Sequence, residues 1–224
     1  MGKIILNSEN LIKSYQNGYE RLVVLNGINI KLETGTITTI IGESGSGKST
    51  LLNVLSSLDT FDSGKLFIDN EDIRSLNEKK LSSFRNERIG FIFQFHHLLP
   101  DFTILDNVLM PLWIKNGFSH YEKPLELLSD FGLIKIKDKY PAEVSGGERQ
   151  RVAIIRSIVN KPRILFADEP SGNLDEKNSI KLIDLFKRIN RDFNTTIMLT
   201  THNPSVAKVG NNIYELNSGV LIKR

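Results

Sequence analysis

Residues 42–49 read Gly-Glu-Ser-Gly-Ser-Gly-Lys-Ser and stand between TITTII at 36–41 and TLLNVLSSL at 50–58. The first flank is β-branched. The second sets leucines at 51, 52, 55 and 58 along one helical face, so the pattern predicts strand, loop and helix. In that context G-x-x-x-x-G-K-[ST] is a phosphate cradle: glycines let backbone N–H groups turn inward, and the following helix adds its positive N-terminal end. Lys48 is predicted to reach the β and γ phosphates of a nucleotide, and the Ser49 hydroxyl to bind Mg²⁺. Gly42, Glu43, Ser44, Gly45, Ser46, Gly47 and Thr50 complete the expected nucleotide contact, with Glu43 facing outward, away from phosphate charge. A Gly-Ser-Gly run alone would be no more than a flexible turn; the Lys-Ser pair and both flanks decide against that.

A second element fits the first. Ile164 to Ala167 is a continuous apolar run ending in Asp168-Glu169-Pro170, as expected of a buried parallel strand that delivers carboxylates at its C-terminal end, where such sheets bind ligands. Asp168 is the candidate to hold Mg²⁺ through water, and Glu169 the base or orienter of an attacking water. A lone Asp-Glu after a strand is more often a helix cap. Its partnership with the phosphate loop reverses that preference.

The rest of the chain supplies a frame for these two loops. Alternating apolar positions over 1–41, broken at Asn17-Gly18 and Thr34-Gly35, predict several strands. KLFID, RIGFIF, TTIMLT, NNIYEL and VLIK predict more, and helices are expected near 78–85, from Gly147 to before Pro162, and over 176–193. Strands alternating with helices mean an α/β domain with a mainly parallel sheet. With 224 residues, 40% apolar and 25% charged, the chain has the composition of one globular domain with room for a subdomain. It contains no cysteine, which excludes disulfides and thiolate chemistry. A net charge of +3 with basic and acidic residues interspersed predicts no nucleic-acid partner. No apolar run approaches the roughly 18 residues that a spanning helix needs.

Val144-Ser145-Gly146-Gly147-Glu148-Arg149-Gln150 resembles the signature motif of ATP-binding cassette ATPases. Other motifs of that family follow in order: Tyr15 is similar to the aromatic that stacks on adenine, Gln94 to the Q-loop glutamine that helps hold Mg²⁺, Asp175 to the D-loop aspartate, and His202 to the switch histidine at the γ-phosphate. The resemblance covers nearly the whole chain. It implies a P-loop NTPase core with a mainly parallel sheet, an N-terminal antiparallel β-subdomain and an inserted α-helical subdomain. The core and β-subdomain would take about 1–94 and 160–224, and the helical subdomain with the signature about 95–159. It also implies a catalytic set of Lys48, Glu169 and His202, and an ATP-bound homodimer in which Ser145, Gly146, Gly147 and Glu148 of one subunit close on the nucleotide of the other.

Two departures matter. Val144 stands where leucine is usual and Glu148 where glutamine is usual, and the added charge of Glu148 leads us to expect it to point away from the phosphate. SGGERQRVAI, DEPSGNLD and FQFHHLLPDFTILDNVLMPL resemble the lipoprotein-releasing type within the family, whose near relatives are the MacB efflux and FtsE cell-division types. That resemblance implies integral membrane partner subunits, a place on the cytoplasmic face of the inner membrane, and a docking surface at Phe95, His96, His97, Leu98 and Leu99. The adjacent histidines do not suit one metal, since neighbouring residues of a strand face opposite ways. A P-loop kinase would leave the serine-glycine signature unexplained, and a chromosome-maintenance ATPase would carry a long coiled coil that is absent here.

Overall fold

The structure is a computed structural model that describes residues 2–118, 122–172 and 175–224. Two long strands, β1 (Ile4–Asn17) and β2 (Glu20–Glu33), pair antiparallel across the Asn17-Gly18 turn. In β2 the residues Ile28, Ile30 and Leu32 are buried while Asn29 and Lys31 are exposed, the period-two pattern of a sheet with one covered face. With β4 (Ser63–Ile68) and β5 (Glu71–Asp72) they form a four-stranded antiparallel sheet in the order β2-β1-β4-β5. The short β5 has no signal in the sequence, because two polar residues cannot show a period.

The second sheet has the order β10-β9-β3-β8-β7-β6. Its members are β3 (Ile37–Ile41), β6 (Ile89–Ile92), β7 (Ile164–Ala167), β8 (Thr196–Thr201), β9 (Asn212–Asn217) and β10 (Val220–Lys223). Every pairing is parallel except that of β9 with β10. β7 and β8 are buried at every position, as parallel strands covered on both faces must be. The mainly parallel α/β architecture with a separate antiparallel sheet matches the sequence expectation.

Helices α1 (Lys48–Leu55), α2 (Glu78–Arg88), α3 (Ile104–Asn116), α4 (Glu122–Asp130), α5 (Gly146–Ile158), α6 (Glu176–Phe193) and α7 (Pro204–Ala207), with short 3-10 helices at Ile73–Ser75, Ile134–Ile136 and Pro141–Glu143, complete the described elements. α1 stops earlier than its leucine pattern suggests, as Ser57 takes a left-handed φ of 60°. α6 begins at the Asp175 cap and ends where Asn194 turns left-handed at φ 50°, an ordinary helix terminator. Apolar residues gather in three clusters. One lies between the antiparallel sheet and the parallel sheet around Leu51, Leu52 and Phe166; one beneath α6 around Phe186 and Ile197; one among α3, α4 and α5 around Val108, Leu128 and Ile155. Gly90 shows how tightly α5 seats on β6: a Cβ there would stand 2.4 Å from the Ser157 carbonyl oxygen.

Candidate functional site

The loop between β3 and α1 opens onto a cavity of about 620 Å³. Ser44, Gly45, Gly47, Lys48, Ser49, Thr50, Tyr15, Val24, Gln94, Glu169 and His202 line it. Gly47 caps α1 at φ 100°, no side chain caps the helix, and its first turn carries no acidic residue. The N–H groups there are free of side-chain partners, and the helix end is positive. Lys48 is 7% exposed, and its ammonium donates to the Gly42 and Glu43 carbonyls at 3.0 and 2.9 Å. Those bonds curl the loop around the lysine and offset much of the cost of burying its charge.

Gly42, Glu43 and Ser46 do not line this cavity. Glu43 is exposed, turned outward. Gly42 is there for packing: a Cβ would lie 2.5 Å from the Leu216 carbonyl oxygen of β9, a separation that real side chains do not adopt.

Asp168 and Glu169 follow β7. Glu169 adopts φ 44°, an uncommon conformation for a residue with a Cβ, held only where the surroundings enforce it. Thr200 on β8 is one enforcer. Its hydroxyl donates to Asp168 Oδ1 at 2.7 Å and accepts the Glu169 N–H at 3.0 Å. No motif in the sequence marks this threonine; it works because β7 and β8 pair in register. Glu169 Oε1 lies 3.5 Å from the Lys48 ammonium, and its Oε2 takes His202 Nδ1 at 2.8 Å. His202 therefore engages the carboxylate rather than standing free toward a phosphate.

Tyr15 lines the cavity, whereas the neighbouring Tyr19 lies at the β1–β2 turn, fully exposed. Ser145, Gly146 and Gly147 lie elsewhere. Gly146 and Gly147 share a pocket of about 250 Å³ with Gln94, His96, Gln150, Pro170, Asp175 and Asn178. Among the described residues, Gln94 alone lines both pockets. Asp175 caps α6 through the Asn178 N–H at 2.7 Å. Two residues of DEPSGNLD, Asn173 and Leu174, lie outside the described residues. α5 is tied to the Glu169 loop by Gln150, whose side-chain amide donates to the Pro170 carbonyl. This is a second link the sequence does not advertise.

Glu148 corrects an expectation. It does not point away; its Oε2 accepts the Ser145 hydroxyl at 2.6 Å and the Ser145 N–H at 2.8 Å, while Ser145 Oγ accepts the Glu148 N–H at 3.3 Å. This is a capping box that satisfies the start of α5. The Ser145 hydroxyl and N–H hold the Glu148 carboxyl below its ordinary range.

The stretch after Gln94 is fixed through its backbone. Arg156 on α5 donates to the His96 and His97 carbonyls at 2.8 and 2.7 Å. Asn107, fully buried on α3, accepts the Leu99 N–H at 2.8 Å and donates to the Leu99 carbonyl at 3.1 Å. Phe95 is 65% exposed and Leu99 40%. His97 is also exposed, its ring edge-on to Phe93. His96 is half-buried, and burial followed by the nearby Arg149 and Arg156 lowers its pKa. Leu98 departs from its neighbours: it packs on the helical cluster, so its place is partly core.

The family model described as ABC transporter matches residues 25–172. The chain belongs to the ABC transporter family. Within that family it is similar to the lipoprotein-releasing system ATP-binding protein LolD of Pseudoalteromonas translucida, 44% identical over 99% of this chain and 96% of the relative. It is 43% identical to LolD of Legionella pneumophila strain Paris over the full length of both. Among solved structures it resembles a dimeric post-hydrolysis state of the ATP-binding cassette MJ0796 bound to ADP and Pi, with TM-score 0.89 and 35% identity over 96% of each chain. No described helix is long and apolar enough to cross a membrane.

Proposed function

We infer that the chain is the ATP-hydrolysing subunit of a transporter that releases lipoproteins from the inner membrane, acting at its cytoplasmic face. The observation that carries the chemistry is the pairing, in the wall of one cavity, of the buried Lys48 with Glu169; relatives named LolD support the cargo. Lys48 and the open N–H groups of α1 bind the triphosphate, and Tyr15 stacks on the base. Ser49, Gln94 and Asp168 would hold Mg²⁺: they are oxygen donors of the kind that ion prefers, and Thr200 occupies Oδ1 of Asp168, leaving Oδ2 available. When bound, Mg²⁺ neutralises phosphate charge. Glu169 orients water and takes its proton as the water oxygen bonds to the γ-phosphorus and the bond to the ADP oxygen breaks. His202 holds the second Glu169 oxygen and is the group closest to hand for the γ-phosphate once that contact is exchanged.

The pocket of Gly146, Gly147 and Asp175 contains no residue of the phosphate loop. This favours an ATP-bound homodimer in which Ser145, Gly146, Gly147 and Glu148 meet the partner subunit's nucleotide. Glu169→Gln tests the whole scheme. ATP binding is expected to persist and turnover to fall on the order of 100-fold or more, with an ATP-dependent dimer accumulating on size exclusion; wild-type hydrolysis by this variant would sink the assignment.

Integral membrane subunits are the proposed partners, docking at Phe95, His96, His97 and Leu99 on a backbone held by Arg156 and Asn107. Phe95→Glu is expected to spare ATPase activity of the purified chain and to abolish its coupling to those subunits. Leu98→Glu is expected to cost roughly 1–3 kcal/mol of stability instead, read as a lowered denaturant midpoint. Co-purification followed by a lipoprotein-release assay separates this function from MacB-like efflux or an FtsE-like role.

A further inference from the structure

One buried cation has no part in the phosphate chemistry. Lys13 on β1 is 6% exposed, and the pairing of β1 with β2 is irregular on both sides of it, as at a bulge that re-aims side chains. Its ammonium lies 2.8 Å from Asp59 Oδ1 and 4.7 Å from the centre of the Tyr15 ring. The Tyr15 hydroxyl donates to the other Asp59 oxygen at 2.7 Å. Asp59 sits just beyond the C-terminal end of α1, the helix that begins at the phosphate loop, and its N–H is bonded to the Asn53 carbonyl of that helix at 3.0 Å.

The three side chains therefore close a ring of contacts: ammonium to carboxylate, carboxylate to phenol, ammonium to aromatic face. Tyr15 lines the nucleotide cavity and Lys13 does not, so the lysine holds the ring from outside the cavity that the ring itself borders. A tyrosine with a free hydroxyl would sample several rotamers, and ordering it on binding would cost affinity. Here the hydroxyl is fixed to a carboxylate that is itself fixed to α1, and the cation–π contact adds to the hold. Burial alone would raise the Asp59 carboxyl, but hydrogen bonds from Lys13, Tyr15 and the Thr60 N–H together bring it below its ordinary range, so it stays an acceptor at neutral pH.

We propose that Asp59 and Lys13 are positioning residues for the nucleotide base, clamping Tyr15 so that one ring face stands ready for stacking at a fixed distance from the phosphate loop. This rests on Tyr15 being the stacking residue, and the experiment separates the two. Binding of ADP and of inorganic tripolyphosphate, which has phosphates but no base, is measured for the purified chain and for Asp59→Ala, Lys13→Met, Tyr15→Phe and Tyr15→Ala. Asp59→Ala removes the carboxylate partner of the hydroxyl, and Tyr15→Phe removes that bond together with the contact of the hydroxyl to Thr50, so each is expected to weaken ADP about fivefold, with Lys13→Met similar and tripolyphosphate unchanged in all. Adding Asp59→Ala to Tyr15→Ala should weaken ADP no further, because no ring is left to position. Tyr15→Phe does not disturb the Lys13–Asp59 pair and keeps the test open if Asp59→Ala folds poorly. ADP binding untouched by both Asp59→Ala and Tyr15→Phe overturns the clamp, as does equal weakening of ADP and tripolyphosphate. Unchanged ADP binding by Tyr15→Ala removes the stacking role itself, and the clamp with it.

Discussion

The phosphate loop and the signature are both glycine-rich starts of helices, yet they meet the same electrostatic problem in opposite ways. At α1 the cap is a glycine without a side-chain bond, the first turn has no acid, and a buried lysine stands behind the loop. At α5 the cap is Ser145, Glu148 occupies the first turn, and the two satisfy each other. One helix end waits with open donors and a cation; at the other the Ser145 and Glu148 N–H groups are already satisfied by side chains, one of which carries negative charge. Under the proposed function the first end takes a triphosphate within one subunit, whereas an anion reaching the second must contend with the Glu148 carboxylate on Ser145. In the proposed dimer such an order would make nucleotide binding precede closure, because the carboxylate weakens the pull of the second site on an anion.

The largest effect should come from breaking the first site. Lys48→Ala removes the buried cation from the cradle, and nucleotide affinity is expected to fall on the order of 100-fold, measured as ADP binding to the purified chain. Undiminished affinity would mean that the open N–H groups alone hold the phosphates. Ser145→Ala should act on the second site only. It is expected to leave ADP binding unchanged, to cost about 1 kcal/mol of stability through the lost cap, and to suppress the ATP-dependent dimer of the Glu169→Gln background. If it instead weakened ADP binding, the two sites would not be independent within a subunit.

Much of this contrast is legible in the sequence, and the missing part has physical causes. Gly42 to Ser49 between a β-branched run and a leucine face can be read without coordinates, since motif and flanks are local. Ser145-Gly-Gly-Glu148 is also local: its spacing is that of a capping box, and hydrogen bonds within one turn outrank repulsion from a phosphate that has yet to arrive. Thr200, Gln150 and Arg156 are a different matter. Each acts on a loop distant in sequence, Thr200 through the parallel pairing of β7 with β8 and the other two through α5 packing on its neighbours, so no period or spacing marks them. Leu98 is opaque for the same reason: FQFHHLLP has no single period, and only the position of α3 and α5 decides which apolar side chain turns inward.

The finest test of the comparison is Glu148→Gln. Glutamine can keep the capping geometry, so stability should change little, while the negative charge at the Ser145 hydroxyl is lost. An incoming γ-phosphate of the partner subunit then displaces a neutral amide rather than a carboxylate. The ATP-dependent dimer of the Glu169→Gln background is expected to tighten by roughly 3-fold to 10-fold, the scale of one partly screened charge contact, with ADP binding by the monomer unaltered. Lowering pH from about 8 to 6 should not mimic the substitution. Ser145 depresses the Glu148 pKa, so the carboxylate remains charged throughout that range, and the stabilising contact is lost only as pH falls through the depressed folded-state value. Dimer affinity that rose between pH 8 and 6 in the wild type and not in Glu148→Gln would show that the carboxylate takes up a proton in the dimer, and hence that it remains at the phosphate instead of being displaced.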